Sequence, residues 1–568
     1  MSDTDRQLYV AVAMVAVGLL TSIWLTGALA GLLFGSGWAP ISASDLGSTA
    51  LRLPSHLADP RDAWPRDVHA MLPGAVGFYV SVVLVGAAIL ILYLLVRRVP
   101  LPAGLPQIGG GSRRVPAARW ATLRDLALLR VRATEPGRLT LGRSGRTLLA
   151  AEERQSVIAF APTGTHKTSG LVIPALLEWQ GPVLVTTVKG DLLPETIERR
   201  EQLGEVMVFD PTGVSGMEAT ARATPLEGAS TWQGAMKIAH WLCNSAQGSK
   251  GGLQDADFWF ATAEKLISPL LFAAAADRRT MADVVRWLDE GPDLNAAQVG
   301  KALKKASEPA AERAWQATQN REERQRSSVY TTAEMILAAF ADERVQQETE
   351  GADYTPARLL SGDKNTLYLC APLHEQERLR PLFSMLVQEL VASAFLRAAV
   401  DGPLDPPLLL LLDEAANIAP IPDLDAIAST GAGQGVQLLS IFHDMAQVAT
   451  VYGRRAGTIV NNHRGKVFGI GISDVETLTF ISRVSGVAEF EQRSRNTGER
   501  GRRSQTEGET YRDLAPAHVV RERDPGSALL MYHNLPLAKI SLRLSFEDRV
   551  LIDLQRGAST ASVLETSQ

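Results

Sequence analysis

The chain carries only two cysteines, Cys243 and Cys370, among 568 residues. Two thiols so far apart make no disulfide framework and match no metal-ligand spacing. A reducing compartment for the main body follows as the simplest expectation. Net positive charge is also missing: the formal charge is −5. No global basic field advertises nucleic acid, so any DNA contact must be local or assembled by oligomerisation. Charge is absent altogether from two long apolar runs, residues 8–34 and 71–96. Each exceeds the roughly 20 apolar residues that cross a bilayer, and both are read as transmembrane helices. The acidic start, Asp3 and Asp5, and the length of the first run weigh against a secretory signal. Arg97, Arg98, Arg113, Arg114 and Arg119 follow the second run, whereas the residues between the runs balance their charges. By the positive-inside rule everything after residue 96 is cytoplasmic, and two crossings put the N-terminus there too.

At this length the chain exceeds one core, and about two to four domains are expected. The stretch that organises them is Ser156–Val172, SVIAFAPTGTHKTSGLV. It reads as an apolar strand, a turn and a helix start, the layout of a phosphate-binding P-loop. In such a loop backbone amides cradle the β/γ-phosphates of a nucleotide, a lysine adds charge and a hydroxyl ligates Mg²⁺. The candidate nucleotide-binding residues are Ala161, Pro162, Thr163, Gly164, Thr165, His166, Lys167 and Thr168. Lys167 and Thr168 take the lysine and hydroxyl positions. Both framing glycines are missing, replaced by Ala161 and His166. Taken alone, the pattern leaves an ordinary strand–turn–helix corner with a surface lysine open.

A second motif raises its weight. Residues 407–414, PLLLLLDE, form a hydrophobic strand ending in Asp413 and Glu414. An aspartate there holds the Mg²⁺ shell and a glutamate beside it orients and deprotonates water. The next strand, 435–442, ends in His443, with Gln447 one helical turn on; both are candidate γ-phosphate sensors, alongside Glu414 as the catalytic set. Strand texture also marks 182–188, followed by Lys189, Gly190 and Asp191, and 206–210, 365–370 and 466–470. Between about 231 and 352 no convincing strand occurs, and an all-α insertion is expected, with Trp241, Trp259, Trp287 and Trp315 spaced as core aromatics.

With these segments in hand, the chain resembles the coupling proteins of type IV secretion and conjugation systems. The distinctive strings are LLDEAANIAPIPDL, STGAGQGVQLLSIFHDMAQVATVYG and NNHRGKVFGIG. The resemblance implies an α/β fold: a RecA-like P-loop nucleotide-binding domain with an inserted all-α domain and two N-terminal transmembrane helices. The implied boundaries are a membrane domain at 1–99, a linker leading into the cytoplasm at 100–137, nucleotide-binding segments at 138–230 and 353–557, the insertion at 231–352 and a tail from 558. It further implies ATP and Mg²⁺ as cofactors, with Thr168 and Asp413 as metal residues. The implied assembly is a homo-oligomer, a hexamer, in the cell membrane, whose partners are DNA or a nucleoprotein substrate and type IV secretion channel components.

Two departures from the family stand out. If the His166 position needs φ > 0, a residue other than glycine costs roughly 1–3 kcal/mol. The segment 431–435, GAGQG, lacks the basic residue that reaches across a subunit boundary, leaving Arg454, Arg455 and Arg464 as candidates. The basic stretch 492–512 reads as a flexible loop, able to track phosphates or simply solvated. Two rival functions stay open: a non-hydrolysing membrane adaptor that keeps the motor fold, and a membrane-tethered double-stranded DNA translocase. The helical insertion, and the lack of a visible C-terminal DNA-binding module, argue against the second.

Overall fold

The computed structural model describes residues 20–98 and 117–557, apart from 40, 189, 248–255, 363, 419 and 498–502. Residues 8–19 of the first expected membrane run, 100–116 of the linker, Lys189 and the tail 558–568 lie outside the described residues. The chain forms two units, Met1–Pro116 and Ala117–Gln568.

In the first unit, apolar helices run over Leu20–Phe34 and Ala75–Arg98. The second begins at Ala75 rather than at 71, after Pro73 and Gly74, a pair that interrupts helix. The connection holds more structure than a loop. Ser42 caps a helix over Ala43–Arg52 by accepting the Asp45 N–H, and three 3₁₀ turns follow. Trp64 is buried edge-on against Phe78, ring centroids 5.0 Å apart. Gly27 passes beneath the same indole, where a Cβ would collide with it.

The second unit is built on a 12-stranded sheet in the order β1-β3-β2-β14-β13-β10-β4-β9-β8-β5-β7-β6. The strands are β1 (Arg130–Val131), β2 (Thr140–Ser144), β3 (Thr147–Ala150), β4 (Val157–Phe160), β5 (Val183–Thr187), β6 (Val206–Phe209), β7 (Thr366–Cys370), β8 (Leu408–Leu412), β9 (Val436–Phe442), β10 (Gly465–Phe468), β13 (Ser527–Tyr532) and β14 (Ala538–Ser541). From β10 to β6 every pairing is parallel; from β10 back to β1 every pairing is antiparallel. Uninterrupted apolar strands such as LLLLL and VIAF suit a parallel sheet covered on both faces. Alternate residues feed two separate cores: Ile158, Phe160, Leu410 and Leu412 on one face, Val157, Ala159, Leu409 and Leu411 on the other.

Between β6 and β7 the described chain is helical, with one isolated bridge, Ala223–Ala352. Trp287 and Trp315 are buried there, and Trp241 and Trp259 pack half-buried on the same core. Helix Gln376–Asp401 returns the chain to β8 with Leu379, Phe383, Leu386 and Leu390 fully buried.

The described parts of 492–512 are not loop. Residues 492–497 and 503–512 belong to a separate antiparallel ribbon of β11 (Val487–Thr497) and β12 (Arg503–Asp513), in register from Val487↔Asp513 to Thr497↔Arg503. Its sequence is polar in consecutive positions, so the apolar–polar alternation that signals a half-buried strand is absent.

Candidate functional site

Register brings three strand tips level. Phe160 at the end of β4 pairs with Phe442 at the end of β9, and Leu412 at the end of β8 with Ser440. The next residues are tied in the same way: the Ala161 N–H donates to the Phe442 carbonyl (2.9 Å) and the Ala415 N–H to the Ile441 carbonyl (3.1 Å). Residues 161–168, 413–414 and 443 therefore leave the sheet side by side, at the carboxyl edge where open α/β sheets bind ligands.

After β4 the loop turns at Gly164 (φ 82°) and again at His166 (φ 62°). His166 thus stands in the left-handed region that the missing glycine would occupy without strain. The Thr165 hydroxyl closes the turn on the Pro162 carbonyl (2.6 Å). The His166 carbonyl accepts the Gly170 N–H (2.8 Å) and starts the helical turn Thr168–Val172, which continues as helix Ile173–Glu178. Thr163, Gly164, His166, Lys167, Thr168, Ser169, Ile173, Asp191 and Glu195 line a cavity of about 290 Å³. Asp191, which follows β5, therefore does reach the loop.

Lys167 turns inward, its side chain 11% exposed, and its Nζ rests on Oε1 of Glu414. The other Glu414 oxygen is 3.0 Å from His443 Nε2 and accepts from Asn417 Nδ2 at 3.3 Å. Burial pushes the Glu414 carboxyl up, but the hydrogen bonds and charges of His443 and Lys167 outweigh it and hold the group down at about 2. The same contact raises the His443 imidazole above its ordinary value, against burial. Glu414 also has φ 56°, a second left-handed position without glycine. Strain at both tips in one site is the kind that binding loops hold.

Asp413 is 7% exposed, and the Thr186 hydroxyl donates to its carbonyl (2.8 Å). Its Oδ1 is buried without a hydrogen-bond partner among the described residues. Burial pushes the carboxyl up to about 6; Lys167 opposes this and Glu414 adds to it. An orphaned buried carboxylate oxygen is costly, and a divalent cation removes that cost. The described residues hold no cluster of three or more metal-ligating side chains. That fits Mg²⁺, which takes one or two protein ligands and fills the rest with water and phosphate oxygens. Asp413 and the Thr168 hydroxyl are the groups that would hold it.

Gln447 stands one step back. Its Oε1 accepts the His443 N–H (2.8 Å), while its own N–H is capped by Asp444 (2.8 Å). Gln447 thus reaches the cluster through the backbone of His443. Among the arginine candidates, Arg455 pairs with Asp423 (3.2 Å) and Asp425, and Arg464 with Glu152 (2.5 Å). Arg454 is exposed. Cys243 and Cys370 are buried, free thiols pushed up by burial, and take no part in the site. Asn417 was not legible as a site residue. It lies one turn beyond Glu414, and only the left-handed turn there brings its amide back. Phe546, whose ring lies 5.8 Å from that of His166, gave no signal either, because it follows the last strand in a polar segment.

A parallel sheet with a Lys-Thr loop on one strand tip and Asp-Glu two strands away fits a RecA-like P-loop nucleotide-binding fold. Residues 126–565 match the family described as type IV secretory system conjugative DNA transfer, and the chain belongs to that family. It is 24% identical over 409 residues to the conjugal transfer protein TraG of Rhizobium radiobacter, covering 67% of this chain and 60% of TraG. It is 23% identical over 372 residues to the protein VirD4 of the same organism, covering 62% of this chain and 50% of VirD4. The chain thus spans about half to 60% of the length of these curated relatives. The unbound bacterial conjugative coupling protein TrwBΔN70 shares the fold at TM-score 0.58 and 16% identity, covering 75% of this chain and 92% of that one.

Proposed function

We propose that this chain is a membrane-anchored, ATP-driven coupling protein of a type IV secretion or conjugation system. It recruits DNA or a nucleoprotein substrate and drives it toward the secretion channel. The observation that carries the reading is the meeting of Lys167, Glu414 and His443 beside the orphaned Asp413 oxygen. TrwB, which has the same fold, has been solved with ADP and Mg²⁺ and with a non-hydrolysable ATP analogue.

Loop amides of 161–168 and Lys167 bind the β/γ-phosphates. Thr168 and Asp413 would hold a Mg²⁺ ion, which when bound would supply further positive charge there. Glu414 takes the proton of the attacking water, and His443, backed by Gln447, holds Glu414 in place and senses the γ-phosphate. As long as Lys167 and His443 both lean on it, the Glu414 carboxylate is too weakly basic to act. Phosphate that draws Lys167 away removes one of the two holds on it, so water activation is favoured once a nucleotide is bound. The helical stretch between β6 and β7 serves as an insertion domain, and six copies form a ring with a nucleotide at each boundary. Helix Ala75–Arg98 has 24 residues; at 1.5 Å per residue it is long enough for a hydrocarbon core of about 30 Å. With the first apolar run it anchors the main body to the cytoplasmic face of the cell membrane.

Two observations favour a second reading, a non-hydrolysing adaptor: His166 strains the loop and Lys167 is already engaged by Glu414. Phosphate release by the full chain in Mg²⁺·ATP, with and without DNA, separates the two. Turnover that DNA accelerates supports the coupling ATPase; nucleotide binding without turnover supports the adaptor.

A further inference from the structure

We propose that His166 and Phe546 form the base-stacking edge of the nucleotide pocket, an inference that rests on the nucleotide-binding reading above. Phe546 is 56% exposed although it lies against the phosphate loop. Its exposure does not come from a loose tail. The Ser545 N–H donates to the Ser169 carbonyl (2.9 Å). Leu542 and Leu544 pack on Gly170, where a Cβ would meet Leu542 at 3.0 Å. Arg543 between them is buried and paired with Glu178 and with Asp548 (2.9 Å). Four consecutive residues thus fix the backbone, and the next side chain is an aromatic ring left open beside the loop.

Glu414 and His443 mark the γ-phosphate end, on the side of the loop that Lys167 faces. The His166 ring lies 5.8 Å from that of Phe546, with the planes at 53°. Ser169 and Ile173, which follow the hydroxyl residue, line the same cavity as His166. A triphosphate lying along 163–168 therefore delivers its ribose and base to the two rings. Aromatic stacking tolerates any base because every base has a π-face. The imidazole at position 166, strained where glycine would not be, supplies one wall of that edge.

Isothermal titration of the full chain in detergent with Mg²⁺ tests the proposal, using ATP and inorganic tripolyphosphate as paired probes. Phe546→Ala is expected to weaken ATP about tenfold and to leave tripolyphosphate unchanged, while Phe546→Trp keeps ATP affinity. Equal losses for both probes would mean that the ring merely supports the loop, and unchanged ATP affinity would mean that it touches no base; either overturns the proposal. Wild-type protein that binds neither probe would instead overturn the nucleotide-binding reading itself, and the proposal with it.

Discussion

The Lys167 ammonium and the Glu414 carboxylate meet between the tips of β4 and β8, with side chains 11% and 13% exposed. On the proposed function, the cation that a triphosphate needs is engaged by the carboxylate that water activation needs. A nucleotide must therefore compete with Glu414 for Lys167. Replacing Glu414 by Gln removes the competitor's charge and keeps its shape. ATP affinity is expected to rise about three- to tenfold, roughly 1 kcal/mol, in calorimetric titration with Mg²⁺. Weaker binding by Glu414→Gln would show that the pair supports the pocket rather than guarding it.

His166 at φ 62° carries a backbone penalty that glycine escapes. Two substitutions without the ring isolate that term. His166→Gly should be more stable than His166→Ala by about 1 kcal/mol, read as a higher thermal midpoint without nucleotide. Equal midpoints would mean that the loop relaxes around the side chain.

Glu389, on helix Gln376–Asp401, backs onto Gly228, where a Cβ would run into its Oε1. Burial pushes its carboxyl from the ordinary 4.5 up to about 7, and Glu227 nearby adds to the shift. Tyr354 lies close enough to feel its charge, with a buried hydroxyl that has no partner among the described residues. With the folded value above the unfolded one, the group's contribution to stability is complete below pH 4.5 and fades as pH rises through 7. Glu389→Gln should therefore stabilise the protein by about 1–2 kcal/mol at pH 8 and barely at all at pH 5. The same gain at both pH values would mean that Glu389 does not titrate in this range.

Arg200 is fully buried with no carboxylate partner among the described residues, and burial lowers its guanidinium to about 10. It donates to the carbonyls of Trp179 (2.6 Å), Gly181 (3.0 Å) and Lys364 (2.8 Å) and to the Thr366 hydroxyl (2.7 Å). These acceptors lie at the starts of β5 and β7, so one side chain ties two parallel strands at the edge opposite the site. Arg200→Met leaves the acceptors buried and unpaired, and a loss of about 3 kcal/mol or more is expected in denaturant unfolding. A loss under about 1 kcal/mol would mean that water replaces the guanidinium.

Much of this arrangement was legible before any coordinates. Val157–Phe160 and Leu408–Leu412 are apolar at every position, a pattern that suits strands covered on both faces. The polar residues after them mark where each strand leaves the core. That a Lys-Thr loop and an Asp-Glu tip share one edge follows once all three strands run parallel. Contacts made by backbone reversal were not legible. The left-handed turn at Glu414 recruits Asn417, and the path after β14 lays Phe546 against a loop nearly 400 residues earlier. Neither leaves a periodic trace. The β11–β12 ribbon escaped for the opposite reason, because its sequence lacks an apolar stripe.

The central claim is that Glu414 activates water for ATP hydrolysis in a pocket it shares with Lys167. Steady-state phosphate release by the full chain in Mg²⁺·ATP, wild type against Glu414→Gln, measures it most directly. The account predicts turnover by the wild type and a fall of about 100-fold or more in the variant, with ATP still bound. Equal turnover by the two proteins, or no turnover by the wild type, would contradict it.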